Sequence, residues 1–431
     1  MKHIPNFKYW LFMIGALALT ACAHSAPNTA KGASANAELP APIAVTPQTL
    51  RAERLDRVMT NLVDENKIAG VSVLIIENGT ESYYGAKGML DREAGTPMSR
   101  DAVGRYYSMT KPIVGVAMMQ LYEDGKYKLD DPLSKYLPEF TNMKVFAGVD
   151  AQGNSMLVNA NRQITVRDLM RHTSGLTYGF ITQTPVDAMY LEANILSYEQ
   201  TSDAFSKKIA SMPLLKQPGE QYIYSVSTDV QGRLIEVLSG QSLGDYLETH
   251  IFAPLGMSHT GFNVKAADRD KFGPVYSVQD GRFIRLEDEM EKLPFVINEP
   301  FLNKKPFESG GGGLVSTLDD YAKFTVMLRA RGGKLISPDS HALMTSNQLS
   351  DIDNSWLGPN SSFGLNFAIK TAASMEGALP VPKGTYYWGG MAGTSFWIDP
   401  TNDIIFIMQM QMITPDEYDN RDRVVRAVYG Q

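Results

Sequence analysis

Ser108 and Lys111 stand three residues apart at the head of an apolar run, Pro112 to Met119. In a helix, positions i and i+3 share a face one turn apart. That spacing would bring a hydroxyl and an amine within hydrogen-bond reach. An amine kept neutral by burial can take a serine proton and leave a nucleophilic oxygen. A serine in a first helical turn also lies near unpaired backbone N–H groups and the positive end of the helix dipole, where an oxyanion would be stabilised. Taken alone, Ser-x-x-Lys is a weak signal, since a chain of this size and ordinary composition supplies about one by chance. Its plain alternative is a serine helix cap followed by a solvated lysine.

Four other stretches carry groups that could complete such a site. Gln217 to Ser225 places a turn before a tyrosine, Tyr224, at a helix start. A tyrosine hydroxyl beside a lysine can relay a proton, because the cation favours the phenolate. The alternative is a half-buried core tyrosine, one of twenty in the chain. Tyr387 to Thr394 holds three glycines, which would thin a strand edge so that an acyl group could lie against it and take a backbone N–H. The alternative there is a bulge. The run Gly310 to Gly313 lacks the Gly-Lys-Ser/Thr ending of a phosphate loop and reads as a place of close backbone approach. Arg171 to Gly175 reads as a structural turn in preference to a catalytic His172.

The elements that would position these groups follow from periodicity. A helix is expected after Thr46-Pro47, with Leu50, Leu55, Val58, Met59 and Leu62 at roughly helical spacing. Gly70 to Ile76 reads as a buried strand closed by the turn Asn78-Gly79, with Ser82 to Gly85 as its hairpin partner. Gly88 to Arg105 reads as a loop leading into Ser108. The Ser108 helix should stop at Glu123-Asp124-Gly125. Further helices are expected over Thr165 to Arg171, over Ser227 to Leu238, after Leu243, and from a Thr317 cap through Leu328. Leu286 to Lys292 reads as an acidic, solvated surface segment. Strands at Trp397-Ile398 and Ile404 to Met408 and a helix over Asn420 to Val428 close the chain. The order implies an α/β (α+β) fold. An antiparallel sheet is built from both ends of the chain and flanked by helices, and a mostly helical segment, about residues 109–310, is inserted between its early and late strands.

Composition narrows the function classes. The 431 residues are 44% hydrophobic and 20% charged, with a net charge of −7 and no basic block longer than two residues, so nucleic acid is not an expected partner. One cysteine, Cys22, excludes an internal disulfide and a Cys-x-x-Cys redox motif. The six histidines form no metal-ligand spacing, so no metal and no cofactor is expected.

Lys2, His3 and Lys8 precede an apolar run from Tyr9 to Leu19, too short to span a bilayer comfortably. It ends in Leu19-Thr20-Ala21-Cys22, which resembles the lipobox of bacterial lipoproteins. That resemblance implies a signal peptide over 1–21, lipidation at Cys22, and a membrane-anchored protein exported to the periplasmic side of the bacterial envelope. The alternative is an ordinary signal peptide with an incidental cysteine. Residues 22–48, rich in Ala, Pro, Ser and Asn, read as a flexible linker.

Six motifs agree in order and spacing with one family: Ser108-Met109-Thr110-Lys111-Pro112, Leu129-Asp130-Asp131-Pro132, His172-Thr173-Ser174-Gly175-Leu176, Pro218-Gly219 with Tyr224-Ser225, Gly310 to Leu314, and Trp388-Gly389-Gly390. Together they resemble the serine β-lactamase and penicillin-binding-protein superfamily, in its class C-like carboxylesterase (family VIII-type) branch. The resemblance spans about residues 50 to 430 and implies one hydrolase domain over 49–431. It implies that Ser108 is the nucleophile of an acyl-enzyme and that Lys111 and Tyr224 are the general base and acid. It implies an oxyanion hole from the N–H groups of Ser108 and Met391, with Trp388, Gly389 and Gly390 lining the substrate. Two positions depart from the β-lactamase pattern. Val226 stands where an asparagine is usual, and Trp388 stands where lysine or histidine is usual. Both departures point to a more apolar pocket and to small-molecule esters over lactams. The rival expectations are a β-lactamase or D-amino-acid peptidase, an acyltransferase of the same mechanism, and a non-enzymatic envelope binding protein.

Overall fold

The computed structural model describes residues 48–287, 297–372, 381–414 and 417–430. The expected leader, Cys22, the linker up to residue 47 and most of the acidic run Leu286 to Lys292 lie outside the described residues. The strands are β1 (Gly70–Glu77), β2 (Thr80–Asp91), β3 (Thr96–Pro97), β4 (Gly104–Arg105), β5 (Lys144–Val149), β6 (Ser155–Asn159), β7 (Val275–Gln279), β8 (Arg282–Leu286), β9 (Val315–Ser316), β10 (Ser361–Phe363), β11 (Ala368–Lys370), β12 (Tyr386–Gly389), β13 (Ser395–Asp399) and β14 (Ile404–Met410). The α-helices are α1 (Gln48–Asp64), α2 (Thr110–Glu123), α3 (Val166–Met170), α4 (Pro185–Glu192), α5 (Ser202–Ala210), α6 (Ser227–Ser239), α7 (Leu243–Leu247), α8 (Ala253–Leu255), α9 (Glu299–Leu302), α10 (Leu318–Arg329), α11 (Pro338–Met344) and α12 (Glu417–Tyr429).

Among the described residues, eight strands form one sheet in the order β10-β11-β12-β13-β14-β1-β2-β3. β14 pairs antiparallel with β1, from Val71 opposite Met410 to Glu77 opposite Ile404, so the two ends of the chain meet at the sheet's centre. β1 is buried on both faces, and its side chains alternate between two cores. Val71, Val73 and Ile75 enter the core with α1 residues Leu55 and Met59 and α12 residues Val424 and Val428. Leu74 enters the larger core with α2, α6 and α10. The helices between β3 and β10 thus cover one face of the sheet, and the terminal helices cover the other.

The local signals act where they stand. Thr165 caps α3 in a capping box with Asp168. Thr317 caps α10 through the Asp320 N–H. Gly240 ends α6 in the left-handed region, at φ 75°. Two features differ from the sequence expectation. The strand expected over Ser82 to Gly85 continues to Asp91, because β1 pairs with it as far as Gly88 and β3 pairs with Met89 and Asp91. Strands β10 and β11, three residues each, extend the sheet beyond β12 and carry no period long enough to read.

Candidate active site

Ser108 lies in a 3₁₀ turn, Tyr107–Met109, that runs directly into α2. The turn is held from several elements. The Tyr106 N–H donates to the Leu314 carbonyl at 2.9 Å, and the Tyr106 hydroxyl donates to Gln409 of β14 at 3.0 Å. Tyr321 of α10 donates to the Met109 carbonyl at 3.0 Å. Tyr107 has φ 41°, a conformation costly for a bulky residue. The surrounding contacts hold it there and present Ser108, half-exposed, to the site.

Three of the predicted residues meet at one atom. Tyr224 Oη donates to Ser108 Oγ at 2.6 Å, and Lys111 Nζ donates to the same oxygen at 3.1 Å. Lys111 is completely buried on α2 and also donates to the Gly311 carbonyl at 2.5 Å. Its ammonium position is 4.7 Å from the Tyr224 ring centroid and 5.3 Å from that of Tyr178. Burial pulls the Lys111 amine down to about 7, against an opposing pull from the Asp229 carboxylate. A neutral amine is therefore accessible near neutral pH.

Asp229, in the first turn of α6, is fully buried and was not singled out in the sequence. Its Oδ1 accepts from Ser309 Oγ at 2.5 Å and from the Gly311 N–H at 3.0 Å. Burial raises its carboxyl, and Lys111 opposes that rise. The Gly311 backbone thus links the lysine and the carboxylate, its C=O bonded to one and its N–H to the other. A Cβ on Gly311 would come within 2.3 Å of Asp229 Oδ2 and 2.9 Å of Tyr178 Oη, which is the close approach the glycine run implies. An aspartate in a first helical turn is ordinary on dipole grounds, so no sequence signal separated it from a surface charge.

His172 packs behind Tyr224 and bonds to Ser225. It is buried at φ 56°, with Nδ1 3.2 Å from Ser225 Oγ and its ring centroid 5.1 Å from that of Tyr224. Burial pulls its imidazole well down, so it stands as a neutral brace behind Tyr224. Val226 is fully buried in the large core. It exposes no surface to the site's open side, contrary to the expectation of a second apolar pocket residue.

The glycine-thinned segment lies on the other side of Ser108. β12 pairs with β13 through Trp388 and Gly389, while β11 reaches only Tyr386 and Tyr387. The Trp388-Gly389 edge is therefore unpaired on the β11 side. A Cβ on Gly390 would stand 2.3 Å from the Tyr106 carbonyl, so only glycine lets this segment close on the Ser108 turn. Met391 follows, packed in the same apolar cluster as Tyr107. Trp388 is half-buried, 5.4 Å from Tyr224. A second tryptophan, Trp356, stacks on Tyr224 at 5.4 Å and 18°. It comes from a short 3₁₀ turn, Ser355–Leu357, that carries no sequence signal. Among the described residues there is no cluster of His, Cys, Asp and Glu able to hold a metal.

Comparison with known proteins adds to this geometry. The Beta-lactamase family model matches residues 55–431. An uncharacterised protein of Mycobacterium tuberculosis is 34% identical over 362 residues, covering 81% of this chain and 87% of that protein. Esterase EstB of Burkholderia gladioli is 30% identical over 359 residues, with the same coverage of each. Among solved structures, EstCE1, described as a hydrolase with promiscuous acyltransferase activity, superposes with a TM-score of 0.75 at 27% identity. That match covers 89% of this chain and 99% of EstCE1.

Proposed function

The chain belongs to the Beta-lactamase family and is a serine hydrolase with acyl-enzyme chemistry; from that premise we propose that Ser108, Lys111 and Tyr224 cleave carboxylic esters. The observation that carries this reading is the convergence of the Lys111 amine and the Tyr224 hydroxyl on Ser108 Oγ. Lys111 in its neutral form, coupled to Tyr224, accepts the Ser108 proton as Oγ attacks the ester carbonyl. The N–H groups of Ser108 and Met391 receive the oxyanion. The tetrahedral intermediate collapses as Tyr224 delivers its proton to the departing alcohol oxygen and takes back the one Lys111 accepted, which leaves both groups as they began. Water, activated by the same pair, then attacks the acyl carbon and frees Ser108.

Trp388 supports esters over lactams, because it offers an apolar ring where a cation would hold the carboxylate of a β-lactam. An acyltransferase runs the same steps with an alcohol in place of water, and the described activity of EstCE1 favours that as the second reading. The N-terminal Leu19-Thr20-Ala21-Cys22 supports export and lipidation at Cys22 on the periplasmic side of the bacterial envelope, with residues 49–431 as one hydrolase domain beyond a linker. A Cys22→Ala protein that stays in the membrane fraction would remove the lipidation reading.

A fluorophosphonate probe should label the wild type and not Ser108→Ala. A short p-nitrophenyl ester should be cleaved faster than a chromogenic cephalosporin. Lys111→Ala and Tyr224→Phe should each lower ester turnover by about 10²-fold or more. Efficient cephalosporin turnover without ester turnover would sink the esterase reading, and absent labelling would sink the acyl-enzyme.

A further inference from the structure

Tyr224 is enclosed by rings that proton transfer does not itself require. Trp356 stacks on it, and Trp388 tilts against it with the ring of Phe363 5.3 Å behind. The Trp356 loop is tied to the segment that carries Tyr224. The Tyr222 N–H donates to the Asp353 carbonyl at 2.9 Å, and the Gln221 amide donates to the Asp353 carboxylate at 3.0 Å. Buried Tyr222, Leu349, Phe363 and Ala368 form the floor of this cluster. Trp356 and Trp388 are both only half-buried, so each keeps part of its indole open.

The hydrogen bonds decide which half of an ester meets this wall. When the tetrahedral intermediate collapses, the bond from the acyl carbon to the alcohol oxygen breaks, and a proton ends on that oxygen. Tyr224 delivers it, so the leaving oxygen must lie against the Tyr224 hydroxyl. Whatever is attached to that oxygen then extends across the rings around Tyr224. The carbonyl oxygen of the acyl half turns instead to the N–H groups of Ser108 and Met391. Resting on the esterase reading, we propose that Trp356 and Trp388 form a leaving-group subsite for a flat aromatic alcohol. Indole faces reward an aromatic partner beyond its apolar area, which an aliphatic ring of the same size cannot match.

The test compares 2-naphthylmethyl acetate with decahydro-2-naphthylmethyl acetate, which share the acyl group and the carbon skeleton and release primary alcohols of similar acidity. Wild type should favour the naphthyl ester by about tenfold in kcat/KM, the scale of an aromatic contact to each of two rings. Trp356→Leu should cut that ratio to about threefold or less, and Trp356→Phe should keep most of it. A wild-type ratio within about twofold overturns the subsite and leaves the esterase reading standing. So does a Trp356→Leu enzyme that slows equally on both esters, because a purely structural role moves both rates and not their ratio. If wild type cleaves neither ester and Ser108 resists the fluorophosphonate, the esterase reading fails and the subsite fails with it.

Discussion

Replacing Lys111 by methionine should destroy activity and, at acid pH, strengthen the fold. The side chain is completely buried, and its amine falls from the ordinary 10.5 to about 7. Between those values the unfolded chain holds a proton that the folded chain lacks, so wild-type stability rises with pH through that window. Below about 7 both states are protonated and the whole penalty is present, about 5 kcal/mol at 1.36 kcal/mol per pH unit. At pH 9 about 2 kcal/mol of it remains, and above 10.5 none. Methionine keeps the length and fills the volume. It leaves the Gly311 carbonyl without its donor, which costs about 1–3 kcal/mol at any pH. The net gain should therefore be clear at pH 6 and close to nothing at pH 9. The difference between the two pH values, about 3 kcal/mol, is independent of the lost hydrogen bond. Urea unfolding of both proteins at pH 6 and pH 9, followed by circular dichroism and tryptophan fluorescence, measures it. If the stability difference between mutant and wild type is the same at both pH values, the lysine is not a desolvated base.

The same amine should give kcat/KM for a p-nitrophenyl ester an acid limb near pH 7, with activity lost as pH falls and Lys111 becomes protonated; a profile flat from pH 5 to 8 would contradict it. Asp229→Asn preserves acceptors for Ser309 and Gly311 but removes the charge that props up Lys111. Its acid limb should move to lower pH by more than about one unit, since one charge within about 10 Å through a medium of dielectric about 20 is worth more than that, and an unmoved limb would exclude electrostatic coupling. Gly390→Ala sets a Cβ against the Tyr106 carbonyl, where backbone must give way. It should cut ester turnover by about tenfold or more while Ser108 still reacts with a fluorophosphonate, and unchanged turnover would mean this approach does not shape the site.

The centre of the site was legible because its chemistry is carried by residue types at readable spacing. Ser108 and Lys111 share a helix face, and Tyr224 follows a turn that announces itself as Pro218-Gly219. The glycines at 310, 311, 313 and 390 were legible as close approaches, and a Cβ at each would come within 3 Å of a neighbour. The groups that tune these residues left no such mark. Asp229 resembles any acid at a helix start until Gly311 is brought to it across the fold. Trp356 meets Tyr224 only because the Asp353 backbone bonds to Tyr222, more than a hundred residues earlier. Tyr107 holds a positive φ with a residue type that argues against one, so its conformation comes from the contacts around the turn. In the sheet, the long strands β1 and β14 were readable from their apolar runs, whereas β10 and β11 owe their strand form to their neighbours.

The pairing of β1 with β14 also dictates an order of events during synthesis. Seventy-odd residues into the chain, a run of Val, Leu and Ile is made whose central partner is, among the described residues, the last strand to appear. Until Ile404 to Met410 arrives, one edge of that strand has nothing to pair with, and the helices built between cannot complete the core on either side. The Ser108 turn waits on β14 as well, because the Tyr106 hydroxyl before it donates to Gln409 across 303 residues. Such long-range closure makes folding slow, and it leaves an apolar strand edge open to other chains while it lasts. A nascent chain truncated before β14 would therefore be both inactive and prone to aggregate, and the enzyme becomes an enzyme only once its final strand is in place.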